Sequence, residues 1–323
     1  MTRPGEFEVI RRHFAPLAQS FPGALNLTDD AAVLDVPEGR ELVVTSDALV
    51  SGVHFLADDP PADIAAKALR VNLSDLASMG AQPLAYTLAA ALSDVIDDEW
   101  LRAFAEGLGR DQVEFGIGLI GGDTVATPGP LTLSICAFGS VPKGRALRRS
   151  GANPGDLVFV SGTIGDATLG LAALTGDLKG LDEADRNVLV GRYRRPTPRS
   201  VLGPGLIGIA TAAIDISDGL VADLGHICEV SEVEAVVEAS RVPLSAAARK
   251  NGAIEQLLSG GDDYELLFCA PASAREDVRR AGAIAGVEIS EIGRICAGSE
   301  RTVSIIDKKG RPLEIGDAGF THF

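Results

Sequence analysis

The stretch Gly116-Ile117-Gly118-Leu119-Ile120-Gly121-Gly122-Asp123 is a short apolar run that ends in two glycines and an aspartate. Its apolar residues predict a buried β-strand, and the glycines let the backbone approach a ligand closely. The stretch matches the pattern G-x-G-x-x-G, but a dinucleotide fingerprint follows a strand and opens a helix, whereas here the pattern lies on the strand itself. The chain has no G-x-x-x-x-G-K-[S/T] sequence, so any nucleotide is not held by a P-loop.

Aspartates recur at the ends of other apolar runs. These segments are Asp29-Asp30, Thr45-Ser46-Asp47, Asn72-Leu73-Ser74-Asp75, Asp215-Ile216-Ser217-Asp218-Gly219 and Gly260-Gly261-Asp262-Asp263. Asp47, Asp123 and Asp218 are expected at the carboxyl ends of strands, where α/β folds bind ligands. Gathered carboxylates repel each other unless cations lie between them, and oxygen-only ligands favour Mg²⁺. The pattern therefore predicts an enzyme that uses Mg²⁺ and handles phosphate.

Strand-like and helix-like segments occur in both halves of the chain. The predicted strands are Glu41–Thr45, Ile117–Ile120, Leu131–Phe138, Leu157–Val160, Ala212–Ile216 and Tyr264–Cys269. The predicted helices are Asp63–Met79, Glu99–Phe115, Ala167–Leu174, Ala184–Tyr193, Leu220–Val230 and Ala272–Ala283. A polar turn at Arg148–Asp156 separates the halves. We therefore expect a mixed α/β (α+β) fold with two domains, at residues 1–149 and 150–323.

Composition limits the classes of partner. The 323 residues carry a formal net charge of −16, which argues against nucleic acid or an anionic membrane as partner. The longest apolar run, Leu84–Leu92, is too short to span a bilayer, and Met1–His13 does not resemble a signal peptide. The 4 cysteines form no C-x-x-C pair, which disfavours zinc and disulfides and fits a reducing cytoplasm.

Asp75 occupies an unusual position on the predicted helix Asp63–Met79. On a helical wheel, Asn72 and Asp75 lie inside the apolar stripe, whose members are Ile64, Ala68, Leu76 and Met79. A carboxylate in such a stripe is costly unless it meets a cation or hydrogen-bond donors. Metal or ligand binding is therefore favoured, and the alternative is an aspartate that bonds to a neighbouring backbone group.

Two of the aspartate segments have a predicted local geometry that suits contact with phosphate groups or metal ions. At Gly121-Gly122-Asp123, two unhindered backbone N–H groups would point to where the carboxylate holds a metal. At Asp215–Gly219, strand alternation sends Asp215 and Ser217 to one side and Asp218 to the other. The alternatives are a plain turn at the first segment and capping of the following helix by Ser217 or Asp218 at the second.

A few charged residues outside these turns are further candidates. His54 is either a substrate contact or a structural hydrogen-bonding residue. Arg149 or Arg148 is a candidate phosphate contact, because phosphate chemistry in an acidic protein needs cations beyond the metal. The other basic cluster is assigned to the surface: Arg192, Arg194, Arg195 and Arg199. No Ser-His-Asp or Cys-His arrangement is visible, so we predict no covalent or general-base catalytic residue.

Taken in order, the motifs resemble those of the thiamine-monophosphate kinases of the AIR synthase-like superfamily. The likeness extends from Gly5-Glu6-Phe7 to Gly319-Phe320-Thr321-His322-Phe323. The motifs that carry it are Asp29-Asp30-Ala31, Ser46–Val50, Gly52–Phe55, Lys67–Ala77, Met79-Gly80-Ala81, Gly121–Thr124, Gly144–Leu147, Ile214–Leu220 and Gly260–Glu265.

The resemblance implies transfer of the γ-phosphoryl group of ATP to thiamine monophosphate. The positions it implies as ligands of several Mg²⁺ ions are Asp30, Thr45, Ser46, Asp47, Asp75, Asp123, Asp215 and Asp218. Those implied for ATP are Gly122, Asp123, Arg149 and Ser217, and those for the thiamine substrate are His54, Asp262 and Phe320. It also implies an AIR synthase-like fold and a homodimer in which strands of the two N-terminal domains form a shared barrel.

The chain departs from the family pattern at three places. Leu25-Asn26-Leu27-Thr28 stands where the family usually has Gly-Ile-Gly before the first aspartate pair. Asp262 replaces the usual glutamate and is one methylene shorter, and Phe320 has no hydroxyl to donate. These departures remove none of the expected metal ligands.

Two other classes of function compete with this interpretation. One is another ATP-using member of the superfamily, a cyclo-ligase or a selenophosphate synthetase. A selenophosphate synthetase needs a reactive cysteine or selenocysteine near the N-terminus. The first cysteine here is Cys136, in a predicted strand. The other class is a protein that binds a Mg-nucleotide without turnover. Release of ADP that depends on thiamine monophosphate distinguishes both from the favoured function.

Overall fold

A computed structural model describes residues 5–316 and Gly319. Its α-helices are α1 Glu6–Val9, α2 Ala15–Ala18, α3 Pro61–Ser78, α4 Asp98–Phe115, α5 Asp166–Thr175, α6 Glu183–Arg194, α7 Leu202–Gly205, α8 Leu220–Ser231, α9 Ala246–Asn251, α10 Ile254–Ser259 and α11 Arg275–Ala285. Its strands are β1 Arg40–Val50, β2 Gln82–Leu92, β3 Gly118–Ala126, β4 Thr132–Pro142, β5 Leu157–Ser161, β6 Ala212–Asp215, β7 Glu234–Glu238, β8 Leu266–Ala270, β9 Ile289–Cys296 and β10 Val303–Ile306.

The chain divides into two compact units. Unit 1 contains the described residues up to Leu76 together with Ala81–Gly144, and unit 2 contains Ala77–Gly80 and the described residues from Arg145 onward. The chain thus passes from unit 1 to unit 2 just before the polar turn at Arg148–Asp156. A functional boundary between residues 149 and 150 stays a prediction. Among the described residues, no helix has both the length and the apolarity to cross a membrane.

Unit 1 is built on a four-stranded sheet in the order β1-β4-β2-β3. The β1–β4 and β4–β2 pairs are antiparallel, and β2–β3 is parallel. Helix α3 lies against this sheet, since the position of a Cβ at Gly139 of β4 is 3.1 Å from a methyl group of Leu76. Gly107 of α4 allows close packing on α3, because a Cβ there would be 2.7 Å from the carbonyl oxygen of Ala62.

The expected strand ends in unit 1 need correction. Strand β1 continues to Val50 and β3 continues to Ala126. Thr45-Ser46-Asp47 and Gly121-Gly122-Asp123 therefore lie within strands and not in turns after them. The reason is that pairing with β4 and β2 continues through these residues, which sequence alone does not reveal. The run Leu84–Leu92, for which no element was predicted, forms most of β2.

Unit 2 contains a six-stranded mixed sheet in the order β10-β7-β9-β5-β8-β6. Apolar residues cover both of its faces because successive side chains on a strand alternate. On one face, Val158 and Leu267 belong to a core cluster with Leu224 of α8. On the other face, Phe159 and Phe268 pack in a cluster that contains residues of α7 and α11. The predicted elements of this half are confirmed, whereas β7, β9 and β10 were not predicted.

Candidate active site

The first group of candidate ligands lies where α3 crosses β1. Thr45 and Asp47 project from the same side of β1, and the Thr45 hydroxyl donates to Oδ2 of Asp75. The pKa of Asp47 is raised to about 6, because burial desolvates its carboxyl group and Asp75 lies beside it. Two carboxylates packed this closely oppose each other's ionisation, and a divalent cation would remove the conflict. Ser46 alternates to the exposed side of β1, so its side chain does not join this group.

A second group lies at the opposite edge of the same sheet. Asp29 and Asp30 line a cleft together with Gly121–Thr124 of β3. A Cβ at Gly122 would lie 1.9 Å from the carbonyl oxygen of Leu88, and its φ is +156°, so this position requires glycine. The Asp123 carboxylate is exposed and accepts the N–H of Thr124 at 2.8 Å.

The two groups are not in contact within one chain. The strand register aligns Asp47 with Ile135, Ile135 with Leu88, and Leu88 with Gly122. Three strand spacings therefore separate Asp47 from Gly122, a distance of about 14 Å in a flat sheet. The structure brings Asp30 together with Asp123, and Thr45 and Asp47 together with Asp75, as two separate clusters.

The corner before the first aspartate pair shows how the chain accommodates its departure from the family pattern. Leu25, Asn26 and Leu27 have φ values of +52°, +57° and +57°. This left-handed region favours glycine, and a leucine adopts it at a cost. The chain therefore adopts, without glycines, a backbone conformation here that glycine favours.

In unit 2, the turn Asp215–Gly219 lies directly beside the loop Gly260–Glu265. The carbonyl of Ser217 accepts the N–H of Asp262 at 2.8 Å, and the carbonyl of Ile216 accepts that of Tyr264 at 2.8 Å. A Cβ at Gly261 would be 2.2 Å from the carbonyl oxygen of Ser217, so glycine permits the approach. The structure therefore brings Ser217 and Asp218, predicted for ATP and metal, next to the predicted substrate residue Asp262. Asp215 is buried at the end of β6.

Asp223, in the first turn of α8, organises this turn and was not singled out from the sequence. Its Oδ2 accepts the backbone N–H groups of Ser217, Asp218 and Gly219 at 3.1, 3.1 and 3.2 Å. Its pKa is raised to about 7, first because it is buried and then because the Asp218 carboxylate is near. A ligand atom of His226 lies within 4.8 Å of those of Asp218 and Asp223, so the three could hold a metal ion. The sequence feature that could have identified Asp223 was an acidic residue on the apolar face of the predicted helix Leu220–Val230.

The assignment of Arg192 and Arg199 to the surface was wrong. Both guanidinium groups donate to the fully buried carboxylate of Glu265, Arg192 through Nη2 at 2.8 Å and Arg199 through Nε at 2.6 Å. The hydroxyl of Ser161 donates to the same carboxylate at 2.5 Å. A cluster of arginines in a sequence is normally assigned to the solvated surface. Here that assignment failed because Glu265, the buried acid that pairs with Arg192 and Arg199, is distant along the chain.

Three predicted site residues remain to be placed: His54, Arg149 and Phe320. His54 is half-buried in the segment that follows β1, where its Nδ1 accepts the N–H of Val50 at 3.0 Å, and a role as a substrate contact stays a prediction. Arg149 is exposed. Phe320 lies outside the described residues. The neighbouring Gly319 is close to the Asp218 turn, since a Cβ on it would be 2.9 Å from the Asp218 carbonyl oxygen.

Comparison with known families agrees with this fold. The model of the AIR synthase related protein, N-terminal domain, matches residues 28–141, and that of the C-terminal domain matches residues 153–306. The chain is thus an AIR synthase related protein, with the two-domain fold of that class.

Relatives that match over nearly the full length of the chain show which family of this class it belongs to. Thiamine-monophosphate kinase of Escherichia coli (strain K12) is 44% identical over 324 residues, covering 99% of this chain and 98% of the relative. The enzyme of Caulobacter vibrioides is 42% identical over 328 residues, covering 99% and 91%. The chain belongs to the thiamine-monophosphate kinase family.

Solved structures of this family are similar over most of the chain. The crystal structure of thiamine-monophosphate kinase from Stenotrophomonas maltophilia aligns with a TM-score of 0.81 and 43% identity, covering 89% of this chain and 91% of that one. The structure of AaThiL complexed with AMPPCP and TMP aligns with a TM-score of 0.78 and 31% identity, covering 91% of each chain.

Proposed function

We propose that this protein transfers the γ-phosphoryl group of ATP to the phosphate of thiamine monophosphate, which gives thiamine diphosphate and ADP. The observation that carries the proposal is 44% identity to thiamine-monophosphate kinase over 99% of the chain. The solved relative complexed with AMPPCP, an ATP analogue, and TMP supports both substrates. The paired carboxylates of unit 1 and the two adjoining turns of unit 2 fit a reaction between anions.

We propose that Mg²⁺ ions bind in both units. Their ligands would be Asp30, Thr45, Ser46, Asp47, Asp75, Asp123, Asp215 and Asp218. Two features support this: the raised pKa of Asp47 beside Asp75, and a donor set made of oxygen atoms. When bound, Mg²⁺ would shield the charges of the two phosphate-bearing reactants. Ser46 would have to contribute through its backbone or from the exposed side of β1.

The nucleotide and the acceptor would use the remaining candidates. Gly122, Asp123, Arg149 and Ser217 would contact ATP, with Gly122 allowing close backbone approach. His54, Asp262 and Phe320 would contact thiamine monophosphate. The close packing of the Ser217 turn against the Asp262 loop supports a donor site and an acceptor site that are neighbours in unit 2.

The chemistry requires positioning more than proton transfer. A phosphate monoester has its second pKa near ~6, so the acceptor is already an anionic nucleophile at neutral pH and needs no general base. The side chains of the protein orient the two phosphates and hold the acceptor in line. We propose direct transfer, with no phosphorylated enzyme. Recovery of a phosphoprotein after incubation with ATP alone would contradict this step.

We further propose that the protein is a homodimer. The even-numbered residues of β1 from Leu42 to Ala48 form an exposed strip, in which Leu42 and Val44 are 39% and 53% exposed. Strands β1 and β3 are the two edges of the sheet in unit 1. A second copy that pairs with these edges would cover the strip and close the shared barrel implied by the family.

All four cysteines are free thiols, which supports a cytoplasmic location.

The direct test is an assay of the purified protein with ATP, Mg²⁺ and thiamine monophosphate. We expect thiamine diphosphate and ADP in equal amounts, and no ADP when thiamine monophosphate is omitted. Binding of Mg-ATP without ADP release on any phosphorylated acceptor would favour a binding protein. ADP release with other superfamily substrates, but not with thiamine monophosphate, would favour another AIR synthase-type enzyme.

A further inference from the structure

The loop that carries Asp262 has a backbone conformation that side chains seldom adopt. Asp262 and Tyr264 have φ values of +70° and +50°, in the left-handed region that favours glycine. Two such residues on either side of Asp263 are unfavourable in an isolated chain. They persist in a fold only where surrounding contacts hold them in place.

Contacts on both sides of the loop fix this conformation. On one side, the N–H groups of Asp262 and Tyr264 donate to the backbone of the Asp215–Gly219 turn. On the other side, the central residue Asp263 is held twice. Its Oδ2 accepts the N–H of Gly165 at 2.8 Å, and its carbonyl oxygen accepts Nη2 of Arg192 at 3.1 Å. Arg192 therefore holds the carbonyl group of Asp263, the residue that lies between the left-handed Asp262 and Tyr264.

Arg192 and Arg199 differ in what they hold, although their surroundings are alike. Each side chain is 17% exposed, and each is paired with the buried Glu265 carboxylate. Arg199 donates to that carboxylate through both Nε and Nη2. Arg192 divides its donors between the carboxylate and the Asp263 carbonyl. Replacement of either residue weakens the same ion pair, but replacement of Arg192 alone also releases the loop backbone.

We propose that Arg192 is a positioning residue for the acceptor: by holding the Asp263 carbonyl, it fixes the left-handed turn that presents the Asp262 carboxylate. The orientation of this carboxylate depends on the same turn, because the Tyr264 hydroxyl donates to its Oδ1 at 3.2 Å. The inference rests on the proposed function, in which Asp262 contacts thiamine monophosphate.

The test compares Arg192→Lys with the matched control Arg199→Lys. A lysine keeps the positive charge next to Glu265, but its single ammonium group cannot reproduce the fork of a guanidinium. We expect Arg192→Lys to raise the KM for thiamine monophosphate about tenfold, the equivalent of one lost charge-assisted hydrogen bond, with kcat changed less than about twofold. Arg199→Lys should leave both constants within about twofold of the wild type, because the bonds that it weakens go to the Glu265 carboxylate and not to the Asp263 carbonyl. Arg192→Gln serves as a second variant with the same expected shift in KM.

Hydrogen exchange of the Asp262 and Tyr264 amides provides a readout that does not depend on the substrate. These amides should exchange faster in Arg192→Lys than in the wild type and in Arg199→Lys, while amides of β8 stay unchanged. Equal exchange in all three proteins, or an equal rise in KM for both lysine variants, would overturn the proposal. If the wild type fails to phosphorylate thiamine monophosphate, the proposed function is lost, yet the exchange comparison still decides whether Arg192 holds the loop.

Discussion

Asp75 shows how one residue can indicate a candidate site before the fold is known. Its carboxylate interrupts the apolar stripe of α3, and the structure places it against Thr45 and beside Asp47. A helix that merely packed on a sheet would gain from an apolar residue there, so the carboxylate costs stability unless a cation or donors compensate. Burial, and then the neighbouring Asp75, raise the pKa of Asp47 to about 6, which makes this cluster sensitive to pH.

Replacement of Asp75 by asparagine should abolish turnover while the protein still folds. The variant removes one charge from the proposed metal site and also removes a repulsion in the metal-free protein. We expect kcat below about 1% of the wild type, the scale of losing one electrostatic catalytic group, and an unchanged or slightly higher melting temperature. The control is Glu99→Gln, an acid whose side chain is 71% exposed on α4, which should keep full activity. Near-normal turnover of Asp75→Asn would remove Asp75 from the metal site.

Mg²⁺ binding in the absence of nucleotide should weaken as the pH falls through about 6, the pKa of Asp47. A protonated carboxyl group is not a metal ligand, so affinity should drop by up to about tenfold per pH unit below this value. Calorimetric titration of Mg²⁺ across a pH series measures the change, and Asp47→Asn should flatten it. An affinity independent of pH would show that Asp47 ionises normally or does not bind the ion.

The stability of the metal-free protein should have the opposite dependence on pH. A carboxyl group whose folded pKa is raised from 3.8 to about 6 holds its proton more tightly in the folded chain than in the unfolded one. Between these values the folded state therefore binds more protons, and its free energy of unfolding falls as the pH rises. Asp223, with a pKa raised to about 7, acts with the same sign. Thermal melting in the presence of a chelator tests this, and a rise in stability over that interval would contradict it.

At the scale of single elements, β3 combines a structural requirement with a proposed functional one. Gly121, Gly122 and Asp123 lie within the strand, and β2 pairs with them residue by residue. Gly122 permits the pairing because a side chain on it would meet the Leu88 carbonyl. Its neighbour Gly121 is less constrained, since a Cβ there has Thr87 Cγ2 as its nearest contact, at 3.7 Å.

These two glycines should therefore respond differently to alanine. Gly122→Ala should lower the free energy of unfolding by about 2 kcal/mol or more, because the clash is with a backbone carbonyl that cannot move without breaking the β2–β3 pairing. Gly121→Ala should cost less than about 1 kcal/mol. Chemical denaturation of both variants gives the comparison. Similar stability of the two proteins would show that Gly122 is not required for the strand pairing.

At the scale of the whole molecule, the sheet of unit 1 leaves apolar surface on β1 uncovered while unit 2 packs both faces of its sheet. An edge strand with exposed apolar side chains is a ready surface for pairing with another chain. A second copy is the proposed occupant, in agreement with the shared barrel that the family implies. The proposal makes dimerisation depend on the exposed strip of β1.

Val44→Asp should therefore weaken dimerisation, because it would bury a charge in the interface. We expect at least about a tenfold rise in the dissociation constant, given the cost of desolvating an unpaired carboxylate. Analytical ultracentrifugation over a concentration series measures it. Val113→Asp is the matched control, since Val113 is 87% exposed and lies on α4 and not on β1. A dimer unaffected by Val44→Asp would place the interface elsewhere.

Much of the secondary structure could be predicted from local patterns. The helices α3 and α4 were predicted to within two residues at each end, since their apolar periodicity is strong and long. Strands β7, β9 and β10 were missed. For β9 the reason is that it carries Glu291, Gly293 and Arg294 and does not alternate clearly. Strand ends in unit 1 were misjudged because pairing partners, and not the strand itself, decide how far it extends.

The sequence alone determined most of the helices, several of the strands and the positions of the candidate ligands, since helix periodicity and Asp-rich motifs are properties of neighbouring residues. Only the tertiary structure decided which side chains meet. It paired Arg192 and Arg199 with the buried Glu265, placed Thr45 against Asp75, and revealed Asp223 beneath the Asp218 turn. The physical reason is that burial and pairing depend on contacts between residues distant in the chain, and the same side chain is solvated or buried according to what folds over it.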